Sequence, residues 1–298
     1  MTTRVTLLFL AMTVAGVVLL LTSGLPFLGG LGIITGCFVL LWLLSLVLGN
    51  AGIVDIFWGP GFVVAGIFYL MTLSEEPTSR GVLVVALATL WAARLALHIG
   101  IRFSGAPEDF RYRKWREDAG PNFWWISLLK VFLLQAVLLW IVSSPLLLAQ
   151  LEGPGSELSA TDFIGITLFV IGFAIEAIAD RQLTRFKADS ANSGRILRTG
   201  LWSRSRHPNY FGEAVLWWGI GLLALPTGGW LSLVGPVLIT FLLMKVSGVA
   251  LLDAALVDRR PGYADYIRST PAFFPRLRSK SADSRGASDA GNTGHPGP

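Results

Sequence analysis

Residues 31–50 read Leu-Gly-Ile-Ile-Thr-Gly-Cys-Phe-Val-Leu-Leu-Trp-Leu-Leu-Ser-Leu-Val-Leu-Gly-Asn, with no charged side chain anywhere in the run. A helix of about 20 apolar residues crosses the ~30 Å of hydrocarbon in a bilayer, so this stretch reads as a transmembrane helix. Comparable stretches fall at roughly 5–23, 53–73, 81–101, 123–150, 162–180, 213–226 and 229–253. Together they predict an all-α, polytopic integral membrane bundle of about eight transmembrane helices, the seventh of them short. The first stretch follows Arg4 but lacks a small-residue cleavage site, and another apolar stretch follows at once. It is therefore expected to be a retained helix and not a signal peptide.

Composition agrees. Of 298 residues, 53% are hydrophobic and 14% charged, and the mean hydropathy is +0.62, more apolar surface than a water-soluble core hides. Cys37 is the single cysteine, which excludes an intrachain disulfide framework or a thiolate metal site. The three histidines, His98, His207 and His295, are too few for a histidine-box di-iron centre, and no metal is expected.

The net charge of +5 is concentrated in clusters beside apolar stretches, which points to membrane orientation before nucleic acid, and no nucleic-acid partner is expected. Arg111, Arg113, Lys114 and Arg116 follow the fourth stretch. Arg181, Arg185, Lys187, Arg195, Arg198, Arg204 and Arg206 follow the sixth, and Arg259, Arg260, Arg268, Arg276 and Arg278 follow the eighth. The loops between carry Glu75, Glu76, Glu152 and Glu157. Eight spans put every basic cluster on one side, so both termini are expected in the cytoplasm, with the bacterial plasma membrane as the expected location. From Ser279 the chain is poor in apolar residues and rich in Ser, Gly, Asp and Pro, so 279–298 reads as a disordered tail.

Charges inside apolar spans are costly and are functional candidates, with structural ion pairs and snorkelled head groups as the competing reading. Asp55, Arg94, His98, Glu176, Asp180, Glu213, Lys245 and Asp253 all fall toward the cytoplasmic ends of their stretches. Arg94 and His98 are four apart, as are Glu176 and Asp180, so each pair shares one helical face. The loop from Arg181 to Gly212 leads into Ser205-Arg206-His207-Pro208-Asn209-Tyr210-Phe211-Gly212-Glu213. Pro208 suits the first turn of a helix, and free amides there beside several guanidinium groups suit a phosphate.

Two other motifs carry less. Gly219-Ile220-Gly221-Leu222-Leu223-Ala224 matches a dinucleotide fingerprint formally, but it lies within an apolar stretch and reads as helix packing. The Phe123-Trp124-Trp125 and Trp217-Trp218 runs read as interfacial anchors.

The run Gly200-Leu201-Trp202-Ser203-Arg204-Ser205-Arg206-His207-Pro208-Asn209-Tyr210-Phe211-Gly212-Glu213 resembles the signature of the steroid 5-alpha-reductase-like superfamily, in particular the bacterial branch known as DUF1295. The resemblance takes in Asp55-Ile56-Phe57-Trp58-Gly59-Pro60-Gly61, Arg94 to Arg102, Glu108 to Tyr112 and Glu176 to Lys187, covering most of 50–275. It implies one membrane reductase-like domain over residues 1–278. Relatives include NADPH-dependent sterol reductases and methyltransferases that use S-adenosylmethionine and carry a shorter Arg-His-Pro motif.

Carried over residue by residue, the resemblance implies cofactor contacts at Asp180, Lys187, Arg195, Asn209 and Glu213, with Arg206, His207 and Tyr210 in the same motif. Tyr263 and Tyr266 resemble residues that close the cofactor pocket. The implied reaction reduces a carbon–carbon double bond conjugated to a carbonyl in a lipophilic substrate such as a sterol, isoprenoid or lipid. Trp91 stands where the reductases place a tyrosine, so Asp55 and His98 are the expected proton donors. The alternatives are an S-adenosylmethionine-dependent membrane methyltransferase and a non-enzymatic membrane protein. A transporter would call for repeated halves and polar groups near the bilayer midplane.

Overall fold

The computed structural model describes residues 2–73, 76–103, 107–152, 158–246, 249, 252–253, 256–257 and 260–276, with side chains from residue 24 onward. Glu75, Glu157, Arg259, Arg278, His295, the side chain of Arg4 and the tail 279–298 lie outside the described residues. The described residues form helices and turns without a strand, as the apolar patterning predicts.

Helix α1, Thr2–Leu48, breaks at Gly24, where φ is 63° and ψ −147°, two residues before Pro26. Positive φ costs glycine little, and proline has no N–H to continue the ladder. The first two apolar stretches are thus joined across a kink without a loop. Helices α2 (Ile53–Thr72) and α3 (Ser79–Phe103) follow, and their backbones approach so closely that a Cβ on Gly59 would lie 2.9 Å from Ala92 Cα.

Helix α4, Phe110–Ala119, is capped by Asp109, whose Oδ1 accepts from the Arg111 amide at 2.9 Å. It leads into α5 (Phe123–Ser127), a π turn, α6 (Leu134–Val142) and α7 (Ser144–Leu148). Beyond them come α8 (Ala160–Ala188), α9 (Pro208–Leu223), α10 (Leu225–Gly228), α11 (Val234–Phe241) and α12 (Tyr263–Ser269).

Among the described residues, six segments are long and apolar enough to cross a membrane: Gly24–Leu48, Ile53–Thr72, Ser79–Phe103, Phe110–Leu148, Ala160–Ala188 and Leu225–Val246. Leu25, Val47, Met71 and Phe163 turn outward with more than two-thirds of their surface free, an exposed apolar surface suited to lipid. The chain is an integral membrane protein. The count differs from eight for two reasons. The 5–23 stretch has no described side chains, and α9 has 16 residues, a length of about 24 Å.

The chain divides into two compact units. One comprises Met1–Ile171 with Ala214–Thr240, the other Gly172–Glu213 with Phe241–Pro298. In the first unit, Phe62, Trp91 and Trp217 are fully buried, with ring centroids 4.6 to 5.8 Å apart. Trp217 is therefore a core residue and not an interfacial anchor, because the rings of α2 and α3 enclose it. The formal dinucleotide fingerprint serves packing, as expected. A Cβ on Gly219 would lie 2.6 Å from the Gly165 carbonyl oxygen, and one on Gly221 would lie 2.6 Å from Pro236.

The first unit also holds a buried ion pair. Arg80 donates to both carboxylate oxygens of Asp162 at 3.1 and 2.6 Å, and Asp162 Oδ2 also accepts from the Ser159 amide and hydroxyl.

Candidate functional site

Ten of the twelve candidate residues lie in the second unit, and Asp55 and His98 lie in the first. The second unit is assembled around α8 and the loop that follows it. Trp202 donates its indole N–H to the Ala179 carbonyl at 3.1 Å, and Leu197 and Trp202 pack on Ala179 beside Leu183, Phe186 and Leu201. This apolar cluster holds the basic loop against α8. The loop then turns into α9 at Pro208, the first residue of that helix.

Gly212 brings the first turns of α9 against α8. A Cβ there would lie 2.5 Å from the Glu176 amide nitrogen and 2.7 Å from the Gly172 carbonyl oxygen, so only glycine fits. Asn209 Nδ2 donates to Asp180 Oδ1 at 3.1 Å. Glu176, Asp180 and Glu213 are each at least 93% buried. Asn209 Oδ1 is buried and accepts no hydrogen bond. A buried acceptor left without a donor costs about 1–3 kcal/mol, which a ligand N–H or O–H there would recover.

The Arg206-His207 pair is committed differently. Arg206 donates through Nη1 to the Ile267 carbonyl at 3.0 Å and the Thr270 carbonyl at 2.7 Å, and through Nη2 to Asp253 Oδ2 at 2.6 Å. His207 Nε2 lies 3.0 Å from Asp253 Oδ1, and the Tyr263 hydroxyl donates to the same oxygen at 2.7 Å. The His207 and Tyr210 rings stack with an interplanar angle of 3°. Tyr266 donates to the Trp202 carbonyl and carries the Arg198 guanidinium over its ring at 5.4 Å.

Burial and the bond to Asp253 hold the Tyr263 phenol well above its ordinary range. Burial does the same for Tyr266, against the opposing charges of Arg206 and Arg198. Both phenols keep their protons and act as donors.

Lys187 and Arg195 are exposed. In this they differ from the buried group at Asn209. In the first unit, His98 is half-buried. Asp55 accepts from the Tyr112 hydroxyl at 2.6 Å and from Arg111 Nη2 at 2.7 Å, so both of its oxygens are engaged. Tyr112 is buried and was not among the sequence candidates. Nor was Asp253 given a role in the site, although an acid late in an apolar stretch, in a chain with an Arg-His pair, was the available signal.

A family model described as a protein of unknown function, DUF1295, matches residues 41–270. The chain belongs to the DUF1295 family. An uncharacterized protein of Schizosaccharomyces pombe is 29% identical over 273 residues, covering 80% of this chain and 76% of its own length. The similarity therefore extends to a fungal protein. A steroid 5-alpha-reductase of Arabidopsis thaliana is 36% identical over 66 residues, 22% of this chain and 25% of its own, in agreement with the steroid 5-alpha-reductase-like superfamily. A nickel-cobalt-cadmium resistance protein of Alcaligenes xylosoxydans is 28% identical over 122 residues, 41% of this chain and 52% of its own. This DUF1295 chain thus spans about half or less of those last two relatives. No solved structure matches it.

Proposed function

We propose that this protein is a membrane-embedded, NADPH-dependent reductase of a conjugated carbon–carbon double bond in a lipophilic substrate. The observation that carries the reading is the buried, unfilled acceptor of Asn209, held 3.1 Å from Asp180 on its amide side, with buried Glu213 one turn further along α9. A carboxamide or ribose hydroxyl is the kind of group this set would take. Asn209 would accept from it, and Glu213 and Asp180 would accept from neighbouring hydroxyls or amides. Lys187 and Arg195, exposed and cationic, would meet phosphates. The short similarity to a steroid 5-alpha-reductase supports the same class.

When bound, NADPH supplies the hydride. The protein's part is to orient the acceptor carbon, exclude water and donate to the substrate oxygen as charge gathers on it. Asp55 and His98 are the proposed sources of that proton. Tyr112, whose hydroxyl donates to Asp55 at 2.6 Å, is added to them as a second proton-bearing group beside Asp55. The site is proposed to open to the cytoplasm.

The test is a thermal-unfolding comparison of detergent-purified protein with NADPH, NADH and S-adenosylmethionine, followed by a screen of lipophilic enones. Selective stabilisation by NADPH, lost in Asn209→Ala and Glu213→Gln variants that remain folded, is the expected result. Stabilisation by S-adenosylmethionine in its place, or an unchanged NADPH response in both variants, would overturn the assignment.

A further inference from the structure

An open groove of about 710 Å³ lies on the second unit, apart from the residues assigned to the cofactor. Its lining changes character from one set of residues to another. Arg198 and Arg204 bring two guanidinium groups, Thr199 and Ser203 bring hydroxyl oxygens, and Ile178 brings an apolar wall. The floor is fixed. Gln182 Oε1 accepts from the Leu201 amide at 3.0 Å, and Gly200, with φ 60°, lies so close to the Gln182 side chain that a Cβ would collide with it.

Ile178 is 49% exposed, and Ala174, one helical turn before it on the same face, is exposed as well. Both belong to the membrane-crossing candidate Ala160–Ala188. The apolar wall of the groove is thus continuous with a surface suited to acyl chains. A soluble anion would satisfy the arginines and leave Ile178 in water. A lipid with an anionic headgroup satisfies both.

We infer that this groove binds the headgroup of an anionic phospholipid, with an acyl chain lying along Ile178 and Ala174. Arg198 gives the site a second consequence. Its Nη2 donates to the Gly262 carbonyl at 2.7 Å and its guanidinium lies over the Tyr266 ring, so an anion that fixes Arg198 also fixes the start of α12. The segment that carries Tyr263 and Tyr266 is then ordered in part by the surrounding lipid. The groove is lined by none of the residues assigned to NADPH, and the inference stands if that assignment falls.

The test reconstitutes the full chain in nanodiscs of phosphatidylcholine alone and of phosphatidylcholine mixed with phosphatidylglycerol. Retained lipid is read by native mass spectrometry, and stability by thermal unfolding. Phosphatidylglycerol should be retained and should raise the unfolding temperature. Its retention should fall about five-fold for each of Arg198→Gln and Arg204→Gln, taking ~1 kcal/mol for each basic residue near an anionic surface. Arg204 is exposed, so its variant keeps the test open if Arg198→Gln fails to fold. Arg113→Gln, on α4, removes one positive charge as each test variant does and should retain the lipid as the parent does.

Equal loss in the α4 control would reduce the effect to general surface charge and overturn the site. Equal stabilisation by inorganic phosphate in neutral nanodiscs would identify a free-anion site and overturn the lipid. An NADPH response lost in the Arg198 and Arg204 variants, with lipid retention unchanged, would assign the groove to the nucleotide and overturn the inference.

Discussion

Arg206 and Asp253, 47 positions apart in the chain, form a salt bridge of 2.6 Å with side chains only 8% and 14% exposed. The other described bonds of the Arg206 side chain run to the carbonyls of Ile267 and Thr270, and its backbone amide donates to the Pro271 carbonyl at 2.9 Å. The basic residue at the head of the motif therefore serves first to fasten Asp253 and the segment containing α12 to the loop before α9. Asp253→Asn leaves that guanidinium buried with its charge unmatched, which costs about 3–5 kcal/mol. Thermal unfolding in detergent should show a large drop, and Arg206→Gln/Asp253→Asn together should cost less than the sum of the single changes.

Asn209→Asp tests the buried polar set with almost no change of shape. It exchanges the amide that donates to Asp180 at 3.1 Å for a second carboxylate, and like charges at that distance repel. A loss of about 1–3 kcal/mol in stability is expected, together with loss of any NADPH stabilisation. A nucleotide titration identical to that of the parent would remove Asn209 from the site.

Gly212→Ala places a methyl group 2.5 Å from the Glu176 amide nitrogen. The neighbour is backbone and cannot swing aside, so α9 must move from α8 at a cost of about 1–3 kcal/mol. Separation of Asn209 from Asp180 should follow, so the unfolding temperature and the nucleotide response should fall together. Gly100→Ala, inside α3 where a Cβ meets nothing within 4 Å, is the matched control: it should leave the nucleotide response unchanged and should not lower the unfolding temperature.

The Arg80–Asp162 pair, with exposures of 0% and 2%, predicts an asymmetry between one change and two. Asp162→Asn or Arg80→Met alone should cost about 3–5 kcal/mol, whereas Arg80→Met/Asp162→Leu should recover most of that loss because no charge remains buried. Unfolding of the three variants side by side measures it. Equal destabilisation in all three would mean that packing, not charge, dominates the site.

Much of the fold follows from local sequence properties. Apolar runs the length of a bilayer dictate transmembrane helices whatever they pack against, and Pro208 begins a helix because its ring already holds the required φ. The bounds of the spans were less legible. A hydropathy window counts apolar residues and does not register that Gly24 joins two stretches across a kink, or that α9 ends at Leu223. Within the candidate site, the i, i+4 spacing of Glu176 and Asp180 was readable for the same local reason, since helical geometry alone puts them on one face.

By itself, then, the sequence determined that this chain is a helical membrane protein, that its acids and bases cluster near the ends of apolar runs, and that the Arg-His-Pro-Asn stretch starts a helix. Only the tertiary structure decided how those charges are used. It set Arg206 and His207 on Asp253, left the Asn209 oxygen unsatisfied, engaged Asp55 with Tyr112 and Arg111, and buried Trp217 between Phe62 and Trp91. The reason is physical. Hydropathy and helical period depend on neighbours a few residues away, whereas a hydrogen bond or an enclosed ring depends on partners brought near only by the folded chain.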